Sequence, residues 1–235
     1  MKIWAHRGCS QRYPENTLLA FEKAMQIKGL TGIELDIQLT KDNQMVVIHD
    51  EKVNRTTNGC GNVRDFTLEE IRRLKCRKGQ RIPTIEEVLD LLEPVMRDGL
   101  MLNIELKNGV FRYEGMEEMI TELIRQRNLE EHVIYSTFYA HSVKRLRELV
   151  PDAEIGILDR RLSDCLYKMQ GGCGANALHP FWRGIDIEAD KGTPVRAWFS
   201  GHLFPEKPTG NRLDLETLEQ QGITDVFLNE PEVYL

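Results

Sequence analysis

Aromatic residues make up only 7% of this 235-residue chain, and its five cysteines include no CxxC pair. Cys9, Cys60, Cys76, Cys165 and Cys173 are odd in number and scattered, which excludes a complete disulfide framework and offers no zinc-ligand spacing. Long apolar runs are missing too. Met45-Val46-Val47-Ile48 gives way at once to His49-Asp50, far short of the roughly 18 apolar residues a membrane span needs. The N-terminal Met-Lys-Ile-Trp-Ala-His-Arg brings charge before any secretory apolar segment forms, so a cytoplasmic protein is expected. There is no Lys/Arg run, and 31 basic against 37 acidic side chains give a net charge of −6. Phosphate-backbone binding needs a basic face, so nucleic acid is not the expected partner. Stable membrane association is not expected either, because no apolar, basic segment stands out. Oligomeric state leaves no trace in the sequence.

What is present suits one domain spanning 1–235, with 41% hydrophobic residues to form a core. Strand-like runs at 3–6, 32–39, 45–49, 100–107, 132–138, 154–158, 175–179, 195–199 and 224–228 alternate with helical patterns. The helical patterns lie at 17–28, 67–75, 84–97, 113–127, 142–149 and 213–221. Thr67-Leu68-Glu69-Glu70 and Thr84-Ile85-Glu86-Glu87 have capping-box spacing, hydroxyl to carboxylate. Asn16 or Thr17 is placed to cap the first helix. Alternation of this kind means βα units on a parallel sheet, and the length fits an α/β (β/α)8 TIM barrel, with an open doubly wound sheet as the alternative. Nine strand candidates compete for eight places, so one of the weaker runs, 154–158, 175–179 or the last, is expected to be extra. The stretch 51–82, with turn signals at Asn58-Gly59 and Gly61-Asn62, reads as an insertion after the third strand.

Alternation within the strands assigns faces. In the run 32–38, Ile33, Leu35 and Ile37 share one face, while Glu34, Asp36 and Gln38 share the other. Helices cover the outside of a parallel barrel, so the apolar face turns outward and the acids turn in. The run 102–107 repeats this with Asn103, Glu105 and Lys107 opposite Leu102, Ile104 and Leu106. Carboxylates gathered in a partly desolvated interior need a counter-charge. Lys107 supplies one, but Glu34, Asp36 and Glu105 together fit a hard divalent cation with oxygen ligands, Mg²⁺ or Ca²⁺.

His6 and His49 each end a strand candidate, where polar residues line the catalytic mouth of a βα barrel. Two imidazoles there can supply a base and an acid. Arg7 and Lys107 add fixed positive charge. An acid-rich cation site with its own guanidinium suits an anionic substrate bridging the two, and a phosphoester fits best.

These residues fall in a chain of motifs: AHRG at 5–8, PENT at 14–17, GIELDIQLTKD at 32–42, VVIHD at 46–50, RTTNGCGNV at 55–63, PTIEEVL at 83–89 and NIELK at 103–107. In order and spacing they resemble the glycerophosphodiester phosphodiesterase family. The resemblance implies a (β/α)8 barrel that uses a divalent cation to hydrolyse small-molecule glycerophosphodiesters to an alcohol and glycerol phosphate. It implies His6 and His49 as the acid–base pair, Glu34, Asp36 and Glu105 as metal ligands, and Arg7 and Lys107 as phosphate contacts. By similarity to barrel phospholipases, His6 is the expected base and His49 the acid.

The C-terminal half matches less closely. Ser136-Thr137-Phe138 is similar to the family's serine and aromatic, and Val195-Arg196-Ala197-Trp198 resembles its tryptophan-bearing strand, but Asn229-Glu230-Pro231 stands where an aspartate before the proline is common. Phe138, Trp198 and Phe204 are expected to wall the substrate's carbon part, and the segment 200–214 to sit at the catalytic rim. The alternatives are a lysophospholipase D-like or cyclising phospholipase-type enzyme on the same barrel and, more distantly, a catalytically silent binding barrel.

Overall fold

The computed structural model describes residues 1–188, 190, 192–199 and 213–235. Within them lie nine strands: β1 (Lys2–His6), β2 (Gly32–Leu39), β3 (Met45–Val47), β4 (Met101–Leu106), β5 (Val133–Thr137), β6 (Glu154–Asp159), β7 (Ala177–Pro180), β8 (Arg196–Trp198) and β9 (Asp225–Leu228). All but β3 run parallel in the order β7-β6-β5-β4-β2-β1-β9-β8. The bridges Leu178↔Val195 and Phe181↔Trp198 bring the two ends together. The expected (β/α)8 barrel is therefore present and nearly closed.

The surplus strand is not among the three weaker runs, which form β6, β7 and β9 of the barrel. It is β3, which pairs antiparallel with β2 in the register Ile37↔Val47. The cause is a tight reversal: Thr40 N–H donates to the Gln44 carbonyl at 3.0 Å, and Asn43 takes φ +55°. A turn this short permits only a hairpin, because a parallel neighbour needs a long crossover. Since β3 stops at Val47, His49 lies just beyond it in a loop.

The helices are α1 (Leu18–Ala24), α2 (Leu68–Ile71), α3 (Ile85–Arg97), α4 (Met116–Gln126), α5 (Ala140–Leu149), α6 (Leu162–Lys168) and α7 (Leu215–Gln220). Both expected capping boxes form, at Thr67 and Thr84, and Thr17 rather than Asn16 caps α1. Helix α6 escaped sequence reading because only Leu162 and Cys165 are buried, too few to mark a stripe. Ile33, Leu35 and Ile37 are wholly buried with Leu89 and Leu92 of α3 in the main core, each worth about 1.5–3 kcal/mol of burial. After β3, the 51–82 stretch builds a smaller core of its own from Val53, Val63, Ile71 and Ile82 against Val46 and Ile48. No helix among the described residues is long and apolar enough to cross a membrane.

Candidate active site

The alternation that turns Ile33, Leu35 and Ile37 outward delivers Glu34 and Asp36 to the interior, and the register Asp36↔Glu105 sets the third acid beside them. One carboxylate oxygen from each of Glu34, Asp36 and Glu105 lies within 4.8 Å of the others, and all three side chains are buried. Glu34 Oε1 and Asp36 Oδ1 have no hydrogen-bond partner among the described residues. Burial, and then the charges of Asp36 and Glu105, push the Glu34 carboxyl well above its ordinary value. Burial would raise Asp36 as well, but His49, Arg7 and Lys107 outweigh it and hold the group low. Orphaned, crowded oxygens of this kind are the donor set of a hard cation.

The positive groups come from the ends of β1 and β4. After His6, the chain turns through Arg7 at φ +57° and Gly8 at φ +77°. The left-handed geometry costs Arg7 about 1–2 kcal/mol, and it aims the Arg7 N–H at Glu34 Oε2, 2.9 Å away. Gly8 is obligatory, because a Cβ there would stand 2.7 Å from the Ala20 backbone. The Arg7 guanidinium reaches Asp36 at 3.4 Å and Glu15 at 2.9 Å. Lys107 Nζ lies 2.8 Å from Glu105 and 3.9 Å from Asp36.

Each histidine is held through Nδ1. His6 Nδ1 lies 2.8 Å from Asn229 Oδ1, and His49 Nδ1 lies 2.8 Å from Asp50 Oδ1. Both partners are acceptors, so Nδ1 carries the proton in each ring and Nε2 is left for the site. Burial, reinforced by Arg7, pushes His6 down to about 3. It is therefore neutral, and its 3.8 Å approach to Glu34 is not an ion pair.

Sequence reasoning quoted the motifs around Glu15, Asp50 and Arg55 but gave these residues no task, and it weighed Asn16 only as a helix cap. Arg55, from the insertion, donates through Nε to Asp50 at 2.7 Å and through Nη2 to Glu15 at 2.9 Å. Glu15 in turn accepts from Arg7. A continuous chain of charge thus runs from His49 through Asp50, Arg55, Glu15 and Arg7 to Asp36. Asn16 donates to Asp36 Oδ2 at 2.8 Å. The signal was the density of charged and amide side chains in turn segments, which alternation cannot place.

His6, Arg7, Glu34, His49, Glu105, Phe138 and Trp198 line one cavity of about 60 Å³ at the barrel mouth. Lys107 sits beside it, 5.7 Å over the Phe138 ring, and Phe138 meets Trp198 edge-on at 6.1 Å. Two further lining residues, Asn103 and His179, were not singled out as candidates from sequence. Phe204 and nearly all of the 200–214 segment lie outside the described residues. Cys9 packs in the apolar core, its thiol pushed up to about 12 by burial.

A (β/α)8 barrel with an acid-rich mouth carrying two histidines is the frame of a barrel enzyme. Its residues 6–160 match the model of the glycerophosphoryl diester phosphodiesterase family, and the chain belongs to that family. It is 39% identical to a glycerophosphodiester phosphodiesterase of Caldanaerobacter subterraneus subsp. tengcongensis, over 99% of this chain and 96% of the relative. It is 46% identical to one of Bacillus altitudinis, over 98% and 95%. A putative glycerophosphodiester phosphodiesterase of Galdieria sulphuraria shares the fold at a TM-score of 0.80 and 23% identity, over 98% and 94% of the two chains. An Oleispira antarctica phosphodiesterase, solved in complex with the product sn-glycerol-3-phosphate, aligns at a TM-score of 0.77 and 25% identity, over 99% and 94%. The protein is a phosphoric diester hydrolase of the glycerophosphodiester phosphodiesterase type.

Proposed function

We propose that this enzyme cleaves glycerophosphodiesters to an alcohol and sn-glycerol 3-phosphate by two-histidine acid–base catalysis at a divalent-cation site, with Mg²⁺ or Ca²⁺ as the ion. The observation that carries this reading is the convergence of Glu34, Asp36 and Glu105 with two orphaned, buried oxygens. These three residues fit the cation, which when bound would neutralise charge on the phosphoryl oxygens.

Arg7 and Lys107 hold the phosphate's remaining non-bridging oxygens, using donors left over from their carboxylate contacts. The partners of the two histidines divide their work. His6 is neutral and tied to a neutral amide, so its Nε2 lone pair takes the proton of the attacking oxygen. His49 is backed by the Asp50 carboxylate, which stabilises an imidazolium, so it delivers a proton to the departing alkoxide. The attacking oxygen bonds to phosphorus, the bond from phosphorus to the alcohol oxygen breaks, and the net reaction consumes one water. Phe138 and Trp198 flank the substrate's carbon part.

The deciding experiment is release of sn-glycerol 3-phosphate from glycerophosphocholine and glycerophosphoethanolamine with Mg²⁺, with Ca²⁺ and with EDTA, alongside His6→Ala. Cation-dependent release, lost in the variant, is expected. A folded protein that releases product from neither compound, or equally well in EDTA, overturns the reading.

A further inference from the structure

The backbone carbonyls around the proposed acid converge on one side chain. The ladder between β2 and β3 closes with Ile48 N–H donating to the Asp36 carbonyl at 3.0 Å, and the chain then leaves the sheet. Gln38, wholly buried on β2, takes over from there. Its Nε2 donates to the carbonyls of Ile48 at 3.1 Å, His49 at 3.1 Å and Asp50 at 2.7 Å. An amide nitrogen brings two hydrogens to these three acceptors, so one is shared. The same acceptors fix which way the amide points. Its Oε1 is turned the other way, where it accepts from the Tyr113 hydroxyl at 3.1 Å. Burial pushes that phenol up to about 12, so it keeps its proton. Tyr113 is itself held in place: its N–H donates to Asn108 Oδ1 at 2.5 Å, and Asn108 Nδ2 donates to Glu117 of α4 at 3.0 Å and to Ser142 of α5 at 3.2 Å.

We infer that Gln38 is a positioning residue for His49, with Tyr113 setting the orientation of its amide. The inference rests on the reading of His49 as the acid and names what aims it. His49 and Asp50 are neighbours on one short segment, so the 2.8 Å bond between them fixes the ring against Asp50 but not against the phosphate. Arg55 grips the Asp50 carboxylate from the insertion, and Gln38 grips the backbone of both residues from β2, the strand that also carries Glu34 and Asp36. The acid is thereby referenced to the cation site through a single strand. A proton donor must lie within hydrogen-bond reach of the leaving oxygen, and a misplacement on the order of 1 Å costs about 10²-fold in rate. Only a departing alkoxide that needs the proton feels that misplacement. A leaving group stable as an anion does not.

The test measures kcat and KM with Mg²⁺ on two diesters that share the glycerol phosphate arm: glycerophosphocholine, and sn-glycerol 3-(4-nitrophenyl phosphate), whose nitrophenolate departs without a proton. Wild type is compared with Gln38→Met, Tyr113→Phe, the double variant and His49→Ala. Gln38→Met keeps the length of the side chain and removes its amide. It should lose about 10–100-fold in kcat on glycerophosphocholine with KM nearly constant, and stay within about threefold on the nitrophenyl diester. Tyr113→Phe deletes one oxygen and should lose about three- to tenfold on glycerophosphocholine alone. Added to Gln38→Met it should cost nothing more, because it acts through the amide. Should Gln38→Met not fold, the selectivity of Tyr113→Phe decides. Equal losses on both diesters make the two residues structural and overturn the inference, as does no loss on either. A His49→Ala loss as large on the nitrophenyl diester as on glycerophosphocholine instead refutes the reading of His49 as the acid, and the inference falls with it.

Discussion

Two groups of buried charge share the interior of this barrel, one at the carboxyl ends of the strands and one at the amino ends, and they differ in how completely they are paired. At the amino end, Asp225 Oδ1 accepts from Trp4 Nε1 at 2.8 Å and faces Arg196 Nε at 3.3 Å, while Oδ2 lies 2.6 Å from the Thr224 hydroxyl. Arg196 also contacts Glu154. At the mouth, Glu34 and Asp36 each keep an oxygen with no hydrogen bond among the described residues, although cations stand nearby. Burial alone therefore does not separate a structural network from a working one. The open oxygens of Glu34 and Asp36 set them apart from Asp225, whose two oxygens are both hydrogen-bonded, because an orphaned buried acceptor is tolerated where something else is meant to fill it.

The contrast can be broken from either side. Replacing His6 or His49 with Ala should lower the turnover of glycerophosphocholine by about 10²–10⁴ while the thermal midpoint changes little; a loss below tenfold for both would remove them from the chemistry. In the paired cluster, Asp225→Asn should do the reverse, costing about 3–5 kcal/mol in denaturant titrations because Arg196 loses its buried counter-charge. Its kcat should hold wherever the variant is folded, and a kcat collapse with unchanged stability would contradict the division. Smaller still, Asp50→Asn leaves His49 without its anionic partner and should reduce kcat about 10–100-fold with KM nearly constant. A pure KM effect would assign Asp50 to substrate binding.

The smallest expected effect concerns stability and pH. Glu34 sits well above its ordinary value of 4.5 in the folded chain. The native state therefore holds that proton more tightly than the unfolded chain does. The associated stability is complete below pH 4.5 and is lost as pH rises through the folded value. Glu34→Gln removes this loss. In EDTA near neutral pH the variant should melt higher, by about 2–4 °C for each kcal/mol relieved, and the gain should vanish toward pH 4. A lower midpoint at neutral pH would mean that the Glu34 carboxylate is stabilising and the crowding argument wrong.

How much of this was legible beforehand follows from the physics of each element. Alternation is a local rule, so Glu34, Asp36 and Glu105 could be assigned to the interior from sequence, and the two capping boxes could be located. The same rule applied to the run 175–179 places His179 inward, opposite Leu178. The surplus strand itself was misplaced, because Met45–Val47 is as apolar as any barrel strand and only the reversal at Asn43 separates it. Asp50, Arg55, Glu15 and Asn229 stand in turns and in the insertion, where no periodicity dictates direction. Their pairing depends on how distant segments meet.

The closing line of the barrel has a further consequence. Strands β2 and β4 are joined over the full register from Gly32↔Met101 to Ile37↔Leu106, whereas β7 and β8 meet at the isolated bridges Leu178↔Val195 and Phe181↔Trp198. Among the described residues the barrel is thus laddered continuously along one side and joined by isolated bridges along the other. The laddered side carries the acids, and the bridged side carries Trp198, which flanks the substrate's carbon part in the proposed function. Substitutions along the bridged seam would leave the acid-bearing ladder in place, an arrangement suited to evolving new substrates without rebuilding the reaction.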